Sequence, residues 1–202
     1  MKLIIILLLL LVQAYYLLTR PVLTPTPATT ISPAPAIHAE LVEAPIADFK
    51  NRITKKFFGT FVTPQNSPVS PEKFRGFHTG VDVEYGDITA EEQVKNIANG
   101  QIIYSGLVSG YGGFVAEQIT INSQPFIAIY GHLRPSSLIK NNSKVNAGDQ
   151  IGVLGTAYSV ETDGERRHLH FALLKGTKLD FRGYVQSQSE LSLWSDPLTL
   201  FP

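Results

Sequence analysis

From about residue 46 onward the chain reads as a succession of short β-forming runs with little room for helix, and this constrains the fold more than any other feature. Ile102-Ile103-Tyr104, Phe114-Val115-Ala116, Ile119-Thr120-Ile121 and Phe126-Ile127-Ala128-Ile129-Tyr130 are rich in β-branched or aromatic residues and are separated by Gly, Asn and Ser. Asn122-Ser123-Gln124-Pro125 reads as a turn between two of them. Ile151–Gly155 and Leu169–Leu174 add two further strands, and a short stretch around Ala90–Lys95 is the one helical expectation. No internal repeat of about 20–50 residues is visible. Many short strands at close spacing imply a mainly β domain, an antiparallel sheet folded over as a sandwich or partly open barrel.

The first 45 residues differ in kind. Lys2 precedes an apolar run from Leu3 to Leu18 that only Gln13 interrupts and Arg20-Pro21 ends. A spanning helix needs about 20 apolar residues, with about 17 as a lower limit, whereas a secretory signal has an apolar region of about 7–15 residues before a small-residue cleavage site. Val12-Gln13-Ala14 is a poor site because the apolar run continues past it, so residues 1–20 are read as an uncleaved membrane anchor in preference to a cleaved signal. Residues 21–45, with Pro21, Pro25, Pro27, Pro33, Pro35 and Pro45 among Thr, Ala and Ser, form an extended linker in which His38 is solvated. Residues 46–202 then form the folded domain, held outside the cytoplasm at the membrane, or secreted if the segment is removed.

Formal net charge is zero, 44% of residues are hydrophobic and 17% charged, which gives no sign of a nucleic-acid binder. There is no cysteine, so thiolate-bound zinc, a thiol nucleophile and disulfides are excluded. Any metal must be held by nitrogen and oxygen. The sequence carries no signal of oligomeric state.

Four of the five histidines fall in three short patterns: His78-Thr79-Gly80-Val81-Asp82, Tyr130-Gly131-His132-Leu133 and His168-Leu169-His170-Phe171. Two neutral imidazoles and a carboxylate make a catalytic zinc set with water in the fourth position, which would leave two histidines for proton handling. In an ideal strand His78 and Asp82 would stand about 13 Å apart, and the neighbouring Gly and Val residues argue against the helix that would bring them within about 6 Å. A bent segment is the remaining solution, with Gly80 as the residue free to make the bend. His168 and His170 lie on one face of a strand, about 7 Å apart, with Leu169 and Phe171 on the other. His132 ends the strand that starts near Phe126, and Gly131 before it allows close approach of another backbone.

The order of these motifs resembles that of the lysostaphin-type zinc endopeptidases, a family of peptidoglycan-cleaving enzymes. The resemblance spans roughly residues 50–202 and extends to Gly110-Tyr111-Gly112-Gly113, to Lys144–Gly152 and to Trp194-Ser195-Asp196-Pro197. It implies a fold of the duplicated-hybrid-motif kind, one Zn2+ per chain on His78, Asp82 and His170, and His132 and His168 as catalytic residues flanking the metal. Which of these two is the general base stays open. The family usually has a shorter Gly- and Ser-rich connection before the His-x-His strand, whereas Thr156–Arg167 here carries Glu161, Asp163, Glu165, Arg166 and Arg167 and should border the groove.

The implied activity is zinc-dependent hydrolysis of peptide bonds in peptidoglycan, with a glycine bridge and a stem-peptide cross-link both open as the target. No His-Glu-x-x-His motif offers a glutamate base. The alternative is a catalytically silent relative that binds cell wall or regulates an amidase; such a module is expected to have lost ligands. A structural zinc normally takes four protein ligands. A biotinyl- or lipoyl-like carrier lacks its lysine at the hairpin tip and leaves the histidines unexplained.

Overall fold

The computed structural model describes residues 42–201. The expected anchor at residues 1–20 and the linker up to residue 41 lie outside the described residues. Residues 42–45, expected as the end of the linker, lie against the domain: Pro45 is buried, Glu43 N–H donates to the Ile97 carbonyl at 2.8 Å, and Lys95 N–H donates to that of Pro45 at 2.9 Å. Among the described residues no helix is long and apolar enough to cross a membrane.

Among the described residues twelve strands follow in order: β1 (Phe61–Val62), β2 (Gly76–His78), β3 (Gly80–Glu84), β4 (Gln93–Lys95), β5 (Gly100–Val108), β6 (Gly112–Ile121), β7 (Gln124–Leu133), β8 (Lys144–Val145), β9 (Gln150–Val153), β10 (His168–Lys175), β11 (Tyr184–Val185) and β12 (Trp194–Ser195). They form three sheets. The largest, of seven strands, runs β12-β10-β7-β6-β5-β8, with β3 also paired to β10; the others are β1-β2-β11 and β4-β9. All the pairings between these strands are antiparallel. No sheet among the described residues closes into a barrel, and the mainly β, antiparallel architecture is the one the sequence leads one to expect.

The large sheet buries both faces. Val115, Ala128, Tyr130, Leu169, Phe171 and Leu173 project into one apolar cluster, which Ile46, Phe49 and Val94 help to close. Phe114, Ala116, Ile127, Ile129, Ala172 and Leu174 project into a second with Tyr111 and Trp194. Alternate residues of one strand thus serve opposite faces, the period of two that a pleated strand imposes. His168 and His170 share the face of the second cluster.

The local expectations meet the structure unevenly. The two runs Phe114–Ala116 and Ile119–Ile121 are one continuous strand, β6, because the intervening Glu117 is buried and hydrogen-bonded rather than looped out. The turn narrows to Asn122 and Ser123, both with positive φ (50° and 63°), as a two-residue hairpin turn twisted with its strands requires. The helix expected around Ala90–Lys95 is absent. Residues 93–95 form β4 instead, because Val94 is buried between exposed Gln93 and Lys95 and pairs with Gly152 of β9, so tertiary pairing overrides local propensity. The one α-helix among the described residues is a single turn at Gln188–Leu191, N-capped by Ser187.

Candidate metal and proton-handling site

His78 ends β2, which pairs with β1 and β11, and Asp82 sits within β3, which pairs with β10. Between them the chain leaves one sheet for another at Thr79. Thr79 N–H donates to the Gly183 carbonyl at 3.0 Å, and its hydroxyl donates to that of Arg182 at 3.0 Å. That change of sheet supplies the expected bend, but Gly80 serves a different purpose from the one its flexibility suggested. Its φ is not left-handed; a Cβ there would stand 2.4 Å from the Phe171 carbonyl oxygen. The glycine lets β3 lie close against β10, where Asp82 comes level with His170.

Three donor atoms converge as a result. His78 Nε2 and His170 Nδ1 are 3.1 Å apart, and each is 3.2 Å from Asp82 Oδ1. All three residues are buried. A tetrahedral ion with bonds of about 2.0–2.1 Å would space its ligands about 3.3–3.4 Å apart, so the set fits a small divalent cation with a vertex left for water. These three residues form a group that could hold a metal ion.

The carbonyls around the site orient the rings. His78 Nδ1 faces the Phe57 carbonyl at 3.3 Å, His132 Nδ1 that of Thr162 at 3.1 Å, and His168 Nδ1 that of Arg166 at 2.9 Å. Each Nδ1 therefore carries the proton and donates it, leaving the Nε2 lone pair bare. His170 is turned the other way: Nδ1 faces the donor triangle, while Nε2 is buried with no hydrogen-bond partner among the described residues, as is the Tyr111 hydroxyl.

His132 is the bulged residue where β6 and β7 change register between Gly113 and Phe114, and its φ is +65°. A non-glycine residue in the left-handed region is strained, and bulges of this kind re-aim a side chain. Its own backbone holds the conformation, with N–H donating to the Tyr111 carbonyl at 3.0 Å and the carbonyl accepting from Gly155 N–H at 2.8 Å. The ring then lies 4.2 Å, centroid to centroid, from that of His168. Gly131 admits the Tyr111 ring, which a Cβ would meet at 2.4 Å, rather than another backbone.

Burial sets the protonation states. It pushes the His132 imidazole down to about 3, with His170 adding to the effect. It lowers His168 and His170 as well, although Asp82 opposes this for both. Burial would raise the Asp82 carboxyl, but His168, His78 and His170 together hold it well below the ordinary carboxylate range. The arrangement is thus a buried carboxylate beside imidazoles that burial keeps neutral at His132, His168 and His170, the protonation state that cation binding needs.

Asp82, His132, His168 and His170 open into a cavity of about 300 Å³ whose wall also includes Lys56, Phe74, Arg75, Tyr111, Arg166 and Tyr184. Lys56 is buried, paired with Glu72 at 2.6 Å, and donates to the Tyr184 hydroxyl at 2.9 Å. Tyr184 lies beside His78, their rings 5.1 Å apart. Lys56, Tyr184 and Arg166 carry no spacing signal in the sequence; only the departure of Thr156–Arg167 from the family pattern drew attention to that loop at the groove, and Glu165 and Arg166 of it line the cavity.

Residues 76–181 match the model of Peptidase family M23, a span that holds His78, Asp82, His132, His168 and His170. The chain belongs to this family. Among solved structures, a chain of the SpoIIQ–SpoIIIAH pore-forming complex is 17% identical, with 80% of this chain and 91% of that one covered and a TM-score of 0.53. The antimicrobial peptidase lysostaphin from Staphylococcus simulans is 21% identical over 78% of this chain and 53% of its own, with a TM-score of 0.48; a solution structure of lysostaphin is 27% identical over 62% and 43%, with a TM-score of 0.44. The M23 chain thus spans about half the length of the lysostaphin chains it matches. No curated protein matches it. The first of these likenesses extends the M23 fold to a pore-forming complex, so fold alone does not decide activity.

Proposed function

We propose that the protein is a zinc endopeptidase that hydrolyses peptide bonds in peptidoglycan, with zinc on His78, Asp82 and His170. The observation that carries the reading is the triangle of donor atoms at 3.1–3.2 Å beside two further histidines with bare Nε2 atoms. Family membership supports the reaction class and the substrate. A zinc ion bound there supplies a Lewis acid that activates water and polarises a carbonyl.

The protein's own residues supply the rest. His132 and His168 each present an Nε2 acceptor, one to take the proton of the attacking water and pass it to the leaving amine. Their Nδ1 bonds to the Thr162 and Arg166 carbonyls keep both rings from turning. Asp82 Oδ2, 3.4 Å from His168 Nε2, favours the imidazolium that would form there. The apolar segment and the proline-rich linker support a location outside the cytoplasm, tethered to the membrane.

Incubating the full chain with purified peptidoglycan, with and without a chelator, tests this reading. New free amino groups should appear, stop on chelation and return with zinc. Bound zinc with no new amino groups would overturn it in favour of a silent wall-binding or amidase-regulating module.

A further inference from the structure

Arg166 reaches into the site from the charged loop that precedes β10. Its Nη2 donates to Asp82 Oδ2 at 2.8 Å and to Glu84 Oε1 at 2.6 Å, and its Nε lies 3.0 and 3.1 Å from the two Glu84 oxygens. The guanidinium is largely buried, with only 11% of the side chain exposed. Asp82 and Glu84 are successive residues on one side of β3, and His168, two residues on from Arg166, pairs with Glu84 across the ladder. One planar fork thus spans two carboxylates that the strand presents together, a geometry an ammonium cannot reproduce.

We infer that Arg166 is a positioning residue for the metal centre: by occupying Asp82 Oδ2 it confines the carboxylate to coordination through Oδ1. This rests on the zinc reading above. Oδ1 is the oxygen that sits 3.2 Å from both His78 Nε2 and His170 Nδ1. Untethered, the carboxylate could rotate about its terminal torsion, which is broad for aspartate, and turn Oδ1 away from the ion. Glu84 offsets the charge of the guanidinium, so the tether does not set an uncompensated cation beside the metal. The same residue acts twice, because its main-chain carbonyl holds His168 Nδ1. A side-chain substitution separates the two roles, since the carbonyl remains.

The test is zinc affinity, measured by competition with a chromophoric chelator, together with the visible spectrum of the Co2+-substituted full chain. Arg166→Ala should weaken zinc binding about 10–100-fold, the usual effect of losing an outer-shell partner, and should alter the Co2+ bands. Arg166→Lys should recover part of the affinity but not the wild-type spectrum. Zinc binding as tight as wild type, or tighter, in a folded Arg166→Ala protein would overturn the inference. If that variant does not fold, wild-type affinity and spectrum in Arg166→Lys would overturn it equally. A wild-type chain that binds no zinc would instead sink the metal reading itself.

Discussion

At the scale of single residues the site divides by what each imidazole is bonded to. His78 and His170 aim a nitrogen at Asp82 Oδ1, whereas the Nε2 atoms of His132 and His168 stand outside that triangle, that of His168 3.4 Å from Asp82 Oδ2. Replacing His132 or His168 by alanine should therefore leave zinc bound and lower kcat by about 10²–10⁴-fold, the usual worth of a positioned acid or base. Metal analysis beside the peptidoglycan assay checks this; loss of zinc in either variant would move that histidine into the ligand set. The residue types and their short spacings were legible in the sequence because metal chemistry restricts both, while the division into ligands and flanking histidines came only from the family resemblance. Arg166, Lys56 and Tyr184 were not, because they meet the site across separations such as 84 residues for Arg166 and Asp82, which no local spacing encodes.

At the scale of elements, the site exists because β3 lies hard against β10. Gly80 is the residue that lets it, since a Cβ there would meet the Phe171 carbonyl at 2.4 Å and the Ala172 Cβ at 2.8 Å. Gly80→Ala should push the strands apart, cost about 1–3 kcal/mol of stability as overpacking does, and weaken zinc binding by separating Asp82 from His170. Denaturant unfolding and a zinc titration read the two effects, and unchanged values in both would contradict the role given to close approach. The strands carrying the histidines were legible from their alternation, as at Leu169 and Phe171 opposite His168 and His170. β4 was not, because three residues with one buried valine give too short a pattern to tell from a helical turn. Nor was the bulge at His132, since nothing in Tyr130-Gly131-His132-Leu133 announces a left-handed histidine; the backbone bonds to Tyr111 and Gly155 impose it.

At the scale of the whole molecule, the sheet's interior carries one carboxyl away from the site. Glu117 accepts from the Tyr130 hydroxyl at 2.9 Å and from Asn96 Nδ2 at 3.2 Å, and burial raises it from 4.5 to about 7 despite both bonds. A carboxyl raised in the folded state favours folding in its protonated form. Its contribution is complete below pH 4.5, declines as the pH rises through about 7, and is absent above that. The change across that window is on the order of 3 kcal/mol. Glu117→Gln should flatten that part of the stability–pH curve, as urea midpoints from pH 4 to pH 8 would reveal; an unchanged slope would mean that the carboxyl stays ionised inside the sheet. The mainly β, antiparallel architecture was readable from strand spacing alone, while the division into three open sheets was not, because it depends on which short strands pair across long loops.

The measurement that bears most directly on the metal centre is the zinc content of the purified wild-type chain and its His170→Ala variant after equilibration with zinc and removal of excess. One zinc per wild-type chain and none in the variant is the expected result. Zinc retained at one per chain in His170→Ala, or absent from the wild type, would contradict the assignment of His78, Asp82 and His170 as its ligands.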